Sequence, residues 1–248
     1  MTEKLFYTDS HLQEFTAEVV SCRPCDNGYE AVLSRTAFFP EGGGQAADTG
    51  VIDGIRVYDV QEKGEQIFHY LEGELEEGKT VTGQIDWDKR FSRMQQHSGE
   101  HILSGMASKL FGVKNVGFHM AEDYATIDLD TQLTHEQIKE LQREANRAVQ
   151  RNVPVTYETV QGEELEHITL RKQAKGLKGD IRIVYFDGGE VDSCTCCGTH
   201  VAFSGEVGYI KITAVFRFFL FIVFVFVGIR FLRLVFIQRD GRFGGLLR

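Results

Sequence analysis

The stretch Gln96-His97-Ser98-Gly99-Glu100-His101, read with Cys196-Cys197-Gly198-Thr199-His200, organises the chain. The residues around the first stretch have a helical pattern: Phe91, Met94, Ile102 and Leu103 form an apolar stripe, Asp86 or Asp88 can cap its start, and Gly112 follows its end. On a helix, side chains four apart share one face, so His97 and His101 can aim imidazole nitrogens at one ion. A Cys-x-x-x-His pair could close the coordination sphere. An N,N,S,N set suits zinc, which takes imidazole at about 2.0–2.1 Å and thiolate at about 2.3 Å. Cys196 stands four before His200, with Cys194 and Cys197 as close rivals.

Working toward the N-terminus, residues 1–88 read as all-β. Phe15–Val20, Gly28–Leu33, Ile55–Val60, Gln66–Leu71 and Thr80–Ile85 are short alternating or apolar runs separated by Pro, Asp, Asn and Gly. Strands so spaced, without helical periods between them, predict a small β-barrel. One loop interrupts them, Gly42-Gly43-Gly44-Gln45-Ala46-Ala47-Asp48-Thr49-Gly50. Successive glycines let a backbone approach a ligand or another segment closely, with Gln45 and Asp48 supplying an amide and a carboxylate. The loop lacks the Lys-Ser/Thr ending of a phosphate-binding loop, which excludes a nucleotide site of that kind.

Toward the C-terminus, Thr134-His135-Glu136-Gln137 reads as a capping box, and Ile138, Leu141, Ala145, Ala148 and Val149 continue a helix until Pro154. Val155–Val160 reads as a strand, 162–173 as a helix, and Ile181–Phe186 and Gly208–Ile212 as strands. Residues 89–215 thus form an α+β unit distinct from the preceding part. Arg171, Lys172, Lys175 and Lys178 make a basic cluster suited to phosphate-backbone contact, or a solvated loop.

The net charge is −9, with residues 216–248 contributing +5. An acidic body argues against binding long DNA through a broad basic surface. The start, MTEKLFYTDS, has no basic residues leading into an apolar run, so a secretory signal is not expected. Five cysteines without such a signal point to a reducing cytoplasm, where thiols serve more often as ligands than as staples. Cys22 and Cys25 have metal-like spacing, and with Cys194 and Cys197 could form a second site.

Residues 216–248 break the pattern. They hold nine of the nineteen Phe and neither Lys nor Glu, and the longest uncharged run, Phe218–Ile229, has twelve residues, short of the roughly 18 a spanning helix needs. A shifted reading frame, a β-rich tail that completes the core, and an Arg-flanked membrane-interface anchor are the three readings of this tail.

His97-x-x-Glu100-His101 also matches the H-x-x-E-H signature of inverted zinc peptidases, with Glu100 as general base. That reading needs a downstream carboxylate ligand and a larger chain, and a Cys-x-x-x-His partner fits it poorly. A non-catalytic binding module with a structural zinc is another class to weigh.

The Gly-rich loop, the His pair and the CCGTH stretch, in this order, resemble the editing domain of alanyl-tRNA synthetase and its free-standing relatives, the alanyl-tRNA editing proteins of the AlaX type. The resemblance covers residues 1 to about 213, and without a synthetase core ahead of it implies a free-standing factor. It implies a small β-barrel followed by the α+β editing core also seen in threonyl-tRNA synthetases. It further implies ATP-independent hydrolysis of the ester joining serine, or glycine, to tRNA for alanine. One zinc ion would be held by His97, His101, Cys196 and His200. Gly43, Gly44, Gln45 and Asp48 belong to a motif near the substrate pocket, and Arg171, Lys172, Lys175 and Lys178 are candidates for tRNA contact. Selecting serine over alanine calls for a group that hydrogen-bonds the serine hydroxyl, for which Ser98 and Thr199 are the candidates, since such a group is left unpaired when alanine enters. Glu100 is the candidate base.

Overall fold

In a computed structural model of the chain, residues 1–122, 124–173, 179–216, 223–227 and 232–238 are described. Two compact units result: residues 1–94 with 197–201, and residues 95–196 with 202–248.

The first unit begins with β1 (Glu3–Lys4), the short helix α1 (Leu5–Thr8), β2 (Glu14–Cys25), β3 (Gly28–Leu33), β4 (Arg35–Thr36), β5 (Gly50–Ile52), β6 (Ile55–Lys63), β7 (Gln66–Leu71) and β8 (Thr80–Ile85). β1 and β4 pair in parallel. The other six pair in the ring β2-β3-β7-β6-β5-β8, a closed barrel. The two-residue side-chain period builds it: along β2, Phe15, Ala17 and Val19 turn inward while Glu14, Thr16 and Glu18 face solvent. Phe6, Leu33, Phe38, Ile52, Ile67 and Leu71 complete an apolar centre. A closed ring leaves no unpaired edge within it.

From Trp87 the chain enters helix α2 (Trp87–Phe111), which supplies the first turns to the first unit and the remainder to the second. The second unit continues with β9 (Asn115–Met120), β10 (Tyr124–Leu129), helix α3 (His135–Gln150), β11 (Val155–Gln161), β12 (Asp180–Phe186), β13 (Asp192–Thr195) and β14 (Ile210–Phe216). Strands β15 (Val223–Val227) and β16 (Leu232–Gln238) join β14, β10 and β9 in one sheet, while β11-β12-β13 form another. The chain is therefore α+β. The capping box of α3 is present: Thr134 Oγ1 accepts from Gln137 N, and Gln137 Oε1 accepts from Thr134 N.

The helix predicted over 162–173 does not form; only Glu164–His167 makes a short 3-10 turn. The segment is drawn out instead. Ile168 and Leu170 pack against Val160, Leu165, Ile181 and Ile183, and Arg171 N and Lys172 O bond to Ser193 O and Thr195 N of β13. Alternating apolar residues and a neighbouring strand that takes up backbone groups outweigh its modest helical propensity. Among the described residues, no helix is long and apolar enough to cross a membrane.

Candidate metal centre

In the first unit the Gly-rich loop is a tight turn. Gly42 and Gln45 exchange both backbone hydrogen bonds at 3.0 Å, and Gly43 and Gly44 take φ of +61° and +85°, the two central left-handed positions of a primed hairpin turn. A Cβ on Gly43 would stand 3.3 Å from Cys197 Sγ, so the glycine admits another segment of the same unit. Gln45, emerging from that turn, is buried and holds the 197–201 segment: its Nε2 donates to Thr199 Oγ1 at 2.8 Å and its Oε1 accepts from Thr199 N at 3.2 Å.

Asp48, a candidate substrate-binding residue, is held inside the first unit. Its Oδ2 accepts from Phe39 N at 2.7 Å and from Arg90 Nε at 2.8 Å, and also bonds Arg90 Nη2; Arg93 Nη1 stands 3.6 Å from Oδ1. Arg90, fully buried, also donates to Ser10 O at 2.9 Å. The loop is thereby pinned to the first turn of α2. Nothing in the local pattern around Arg90 announced this partner.

In the second unit, α2 presents His97, His101 and Gly105 at four-residue steps along one face. Gly105 lets the helix come close to the chain entering β13, because a Cβ there would fall 2.1 Å from Val191 O. His101 Nδ1 then donates to Asp192 Oδ2 at 2.7 Å. Asp192 is gripped from its other side by Arg171, through Nε to Oδ1 and through Nη2 to Oδ2 at 3.0 Å. Burial would push the Asp192 carboxyl up, yet the bonds from His101 and Arg171 hold it below the usual carboxylate range. Burial likewise opposes charge on His101, but Cys194, Asp192 and Cys196 outweigh it and raise the imidazole well above its usual value. Cys194, buried 3.6 Å from His101 Nδ1, has its thiol pushed up by burial.

The predicted ligands come together. One donor atom each from His97, His101, Cys196 and His200 lies within 4.8 Å of the others, and Cys196 Sγ is 3.5 Å from His97 Nε2. Donors around a tetrahedral zinc with bonds of 2.0–2.3 Å stand roughly 3.3–3.8 Å apart, a range that holds the Cys196–His97 separation of 3.5 Å, and the donor set fits such an ion in chemistry. The three histidines are buried and Cys196 is partly exposed. The His97 and His101 rings stack on Phe118 and Phe186 at 5.5 and 5.3 Å. Of the rival cysteines, Cys197 is exposed, and Cys194 groups with His101 and Asp192 instead. Neither of the potential metal groups among the described residues contains Cys22 or Cys25.

The other site candidates are placed as follows. Glu100 is buried, and its Oε1 accepts from Ser104 Oγ and from Asn115 Nδ2, both at 2.6 Å; Oε2 is 3.9 Å from His101 Nε2. Ser98 and Thr199 have no exposed surface. Arg171 serves Asp192, Lys172 is exposed, and Lys175 and Lys178 lie outside the described residues. Sequence reading missed Asp192, Asn115 and Arg90, each meeting its partner only through tertiary packing.

Residues 4–89 match the family described as tRNA synthetases class II (A), and residues 181–218 the threonyl and alanyl tRNA synthetase second additional domain. The alanyl-tRNA editing protein AlaX-L of Pyrococcus horikoshii is 39% identical over 226 residues, covering 88% of this chain and 55% of that protein. The alanyl-tRNA editing protein Aarsd1 of Mus musculus is 36% identical over 220 residues, covering 82% and 53%. An alanine–tRNA ligase of Ignicoccus hospitalis is 36% identical over 222 residues, covering 85% of this chain and 24% of the ligase. The chain thus spans about half the length of the editing proteins it matches. Over most of its own length the chain is thus similar to alanyl-tRNA editing proteins.

Proposed function

We propose that the chain is a zinc-dependent deacylase that removes serine, and glycine, from mischarged tRNA for alanine. The observation that carries this reading is the convergence of His97, His101, Cys196 and His200 in a chain similar to proteins named for alanyl-tRNA editing. Zinc at such a site supplies Lewis-acid polarisation of an ester carbonyl or orientation of the substrate.

The chain's own residues would divide the remaining work. His97 and His101 hold two donors at fixed separation along one helix face, and the Phe118 and Phe186 rings keep the imidazoles from turning. Gln45 fixes Thr199, the neighbour of His200, and so fixes the backbone from which that donor projects. Residues 1–88 then act as the domain that presents the Gly-rich loop, residues 89–215 as the editing core, and residues 216–248 as an apolar tail.

The peptidase reading draws no support from the surroundings of Glu100. A general base must reach the proton it abstracts, and here one carboxylate oxygen is saturated by Ser104 and Asn115 inside the protein. Glu100 is better suited to holding α2 against the segment at Asn115.

The test is deacylation of seryl-tRNA and alanyl-tRNA for alanine by purified protein of measured zinc content, beside His97→Ala and Cys196→Ala. The expected outcome is release of serine in strong preference to alanine, abolished in both variants and by chelation. Equal hydrolysis of both substrates would end the account of selectivity. No turnover by a folded, zinc-loaded protein would favour a binding module, and peptide cleavage would favour the peptidase.

A further inference from the structure

We propose that Asp192 and Arg171 are positioning residues for His101: Asp192 accepts the hydrogen bond of the His101 Nδ1–H, Arg171 fixes Asp192, and Nε2 of His101 is thereby committed to the metal. The inference rests on the reading of His97, His101, Cys196 and His200 as a zinc site.

Three observations carry it. First, His101 Nδ1 stands 2.7 Å from Asp192 Oδ2, and both residues are buried, so the bond forms away from competing water. A neutral imidazole has one protonated and one bare nitrogen, and a carboxylate can only accept; placed at Nδ1, it selects the tautomer whose Nε2 carries the free lone pair. Second, Asp192 cannot turn away. Arg171 binds both of its oxygens in a forked arrangement, and the Arg171 side chain is itself only 10% exposed. Third, the backbone supports the same geometry. Arg171 N donates to Ser193 O at 2.9 Å, which aligns the two partners along β13, and Gly105 removes the bulk that would hold α2 off Val191.

His101, Asp192 and Cys194 also have donor atoms within 4.8 Å of one another, which raises the alternative of a second metal position. The Arg171 guanidinium opposes that alternative: a cation bound to Asp192 would share its carboxylate with a fixed positive charge. Outer-sphere carboxylates of this kind restrict ring orientation and raise ligand basicity, and their removal commonly weakens metal binding 10–100-fold.

The experiment uses the full chain and zinc alone, titrated in competition with a chromophoric chelator, with cobalt substitution to record the ligand-field spectrum. Asp192→Asn keeps the volume and removes the charge; it is expected to weaken zinc binding 10–100-fold. Arg171→Gln is expected to weaken it less, in the same direction. Zinc affinity within twofold of wild type in folded Asp192→Asn overturns the proposal while leaving the zinc site itself intact; a wild-type chain that binds no zinc overturns the zinc site instead. A readout independent of variant folding is the long-range proton–nitrogen NMR spectrum of the zinc-loaded wild type. The proposal requires a protonated Nδ1 on His101, and coordination through Nδ1 overturns it.

Discussion

Gln45 and Thr199 are joined by two hydrogen bonds, from Gln45 Nε2 to Thr199 Oγ1 at 2.8 Å and from Thr199 N to Gln45 Oε1 at 3.2 Å. One amide side chain therefore satisfies both a hydroxyl and a backbone N–H across 154 positions of sequence. The three glycines before Gln45 have a mechanical purpose in this light: they turn the chain sharply enough to deliver the amide to the segment that carries His200.

Truncating Gln45 leaves a buried N–H and a buried hydroxyl without this partner. The Gln45→Ala variant is expected to lose about 1–3 kcal/mol of unfolding free energy, the usual cost of stranding such groups. Gln45→Glu, which keeps the acceptor and forfeits the donor, should fall between. Urea denaturation measures both, and a Gln45→Ala midpoint equal to wild type would show that the clamp is ornamental.

Asp48 and Arg90 form an ion pair with both side chains buried. Removing one partner leaves an uncompensated buried charge, so Asp48→Ala and Arg90→Met should each lose about 3–5 kcal/mol. The double variant Asp48→Leu with Arg90→Met should cost less than the sum of the singles, since it leaves no stranded charge. Strict additivity in a double-mutant cycle would contradict the assignment of Asp48 as an anchor of the loop.

What was legible in the sequence followed local physics. The barrel strands declared themselves through two-residue alternation, α3 through its capping box, and α2 through the stripe that includes Met94 and Leu103. Cys196 was singled out by its distance from His200. The illegible parts depend on chain crossings that no local pattern records. The extended path of 162–173 follows from β13, whose residues lie more than twenty positions on, and β9 and β10 were passed over although Ala125, Ile127 and Leu129 alternate in the expected way. Arg171 looked like a surface cation because its charge is visible in sequence while its partner, Asp192, is not.

His69 links the fold to pH. Its ring is fully buried in the barrel, with Nδ1 donating to Ala31 O at 3.2 Å and Nε2 accepting from Thr36 Oγ1 at 2.8 Å. Burial lowers its pKa to about 4, against the opposing bond to Ala31. An unfolded histidine titrates near 6.5, so the unfolded chain takes up the proton first as pH falls. The stability associated with neutral His69 is complete above pH ~6.5 and is lost between ~6.5 and ~4, to a total of about 3 kcal/mol. Unfolding free energies measured at pH 7, 6 and 5 should decline accordingly, and the decline should be shallower in His69→Gln. An identical pH slope in the variant would refute the assignment.

Gly105 provides the sharpest separation between helix propensity and packing. It lies inside α2, where replacing glycine by alanine ordinarily stabilises a helix by about 1 kcal/mol. Here the new methyl would meet Val191 O at 2.1 Å and Asp192 Cβ at 2.9 Å, and the first of these is backbone that cannot rotate aside. Overpacking of this kind costs about 1–3 kcal/mol or more, which exceeds the propensity gain. Gly105→Ala should therefore be less stable than wild type by thermal or urea denaturation. Because His101 lies one turn away on the same face, the shift that relieves the clash also lengthens the 2.7 Å bond from His101 to Asp192, so zinc affinity should fall together with stability. A stabilised Gly105→Ala variant with unchanged zinc affinity would mean that α2 does not need this close approach.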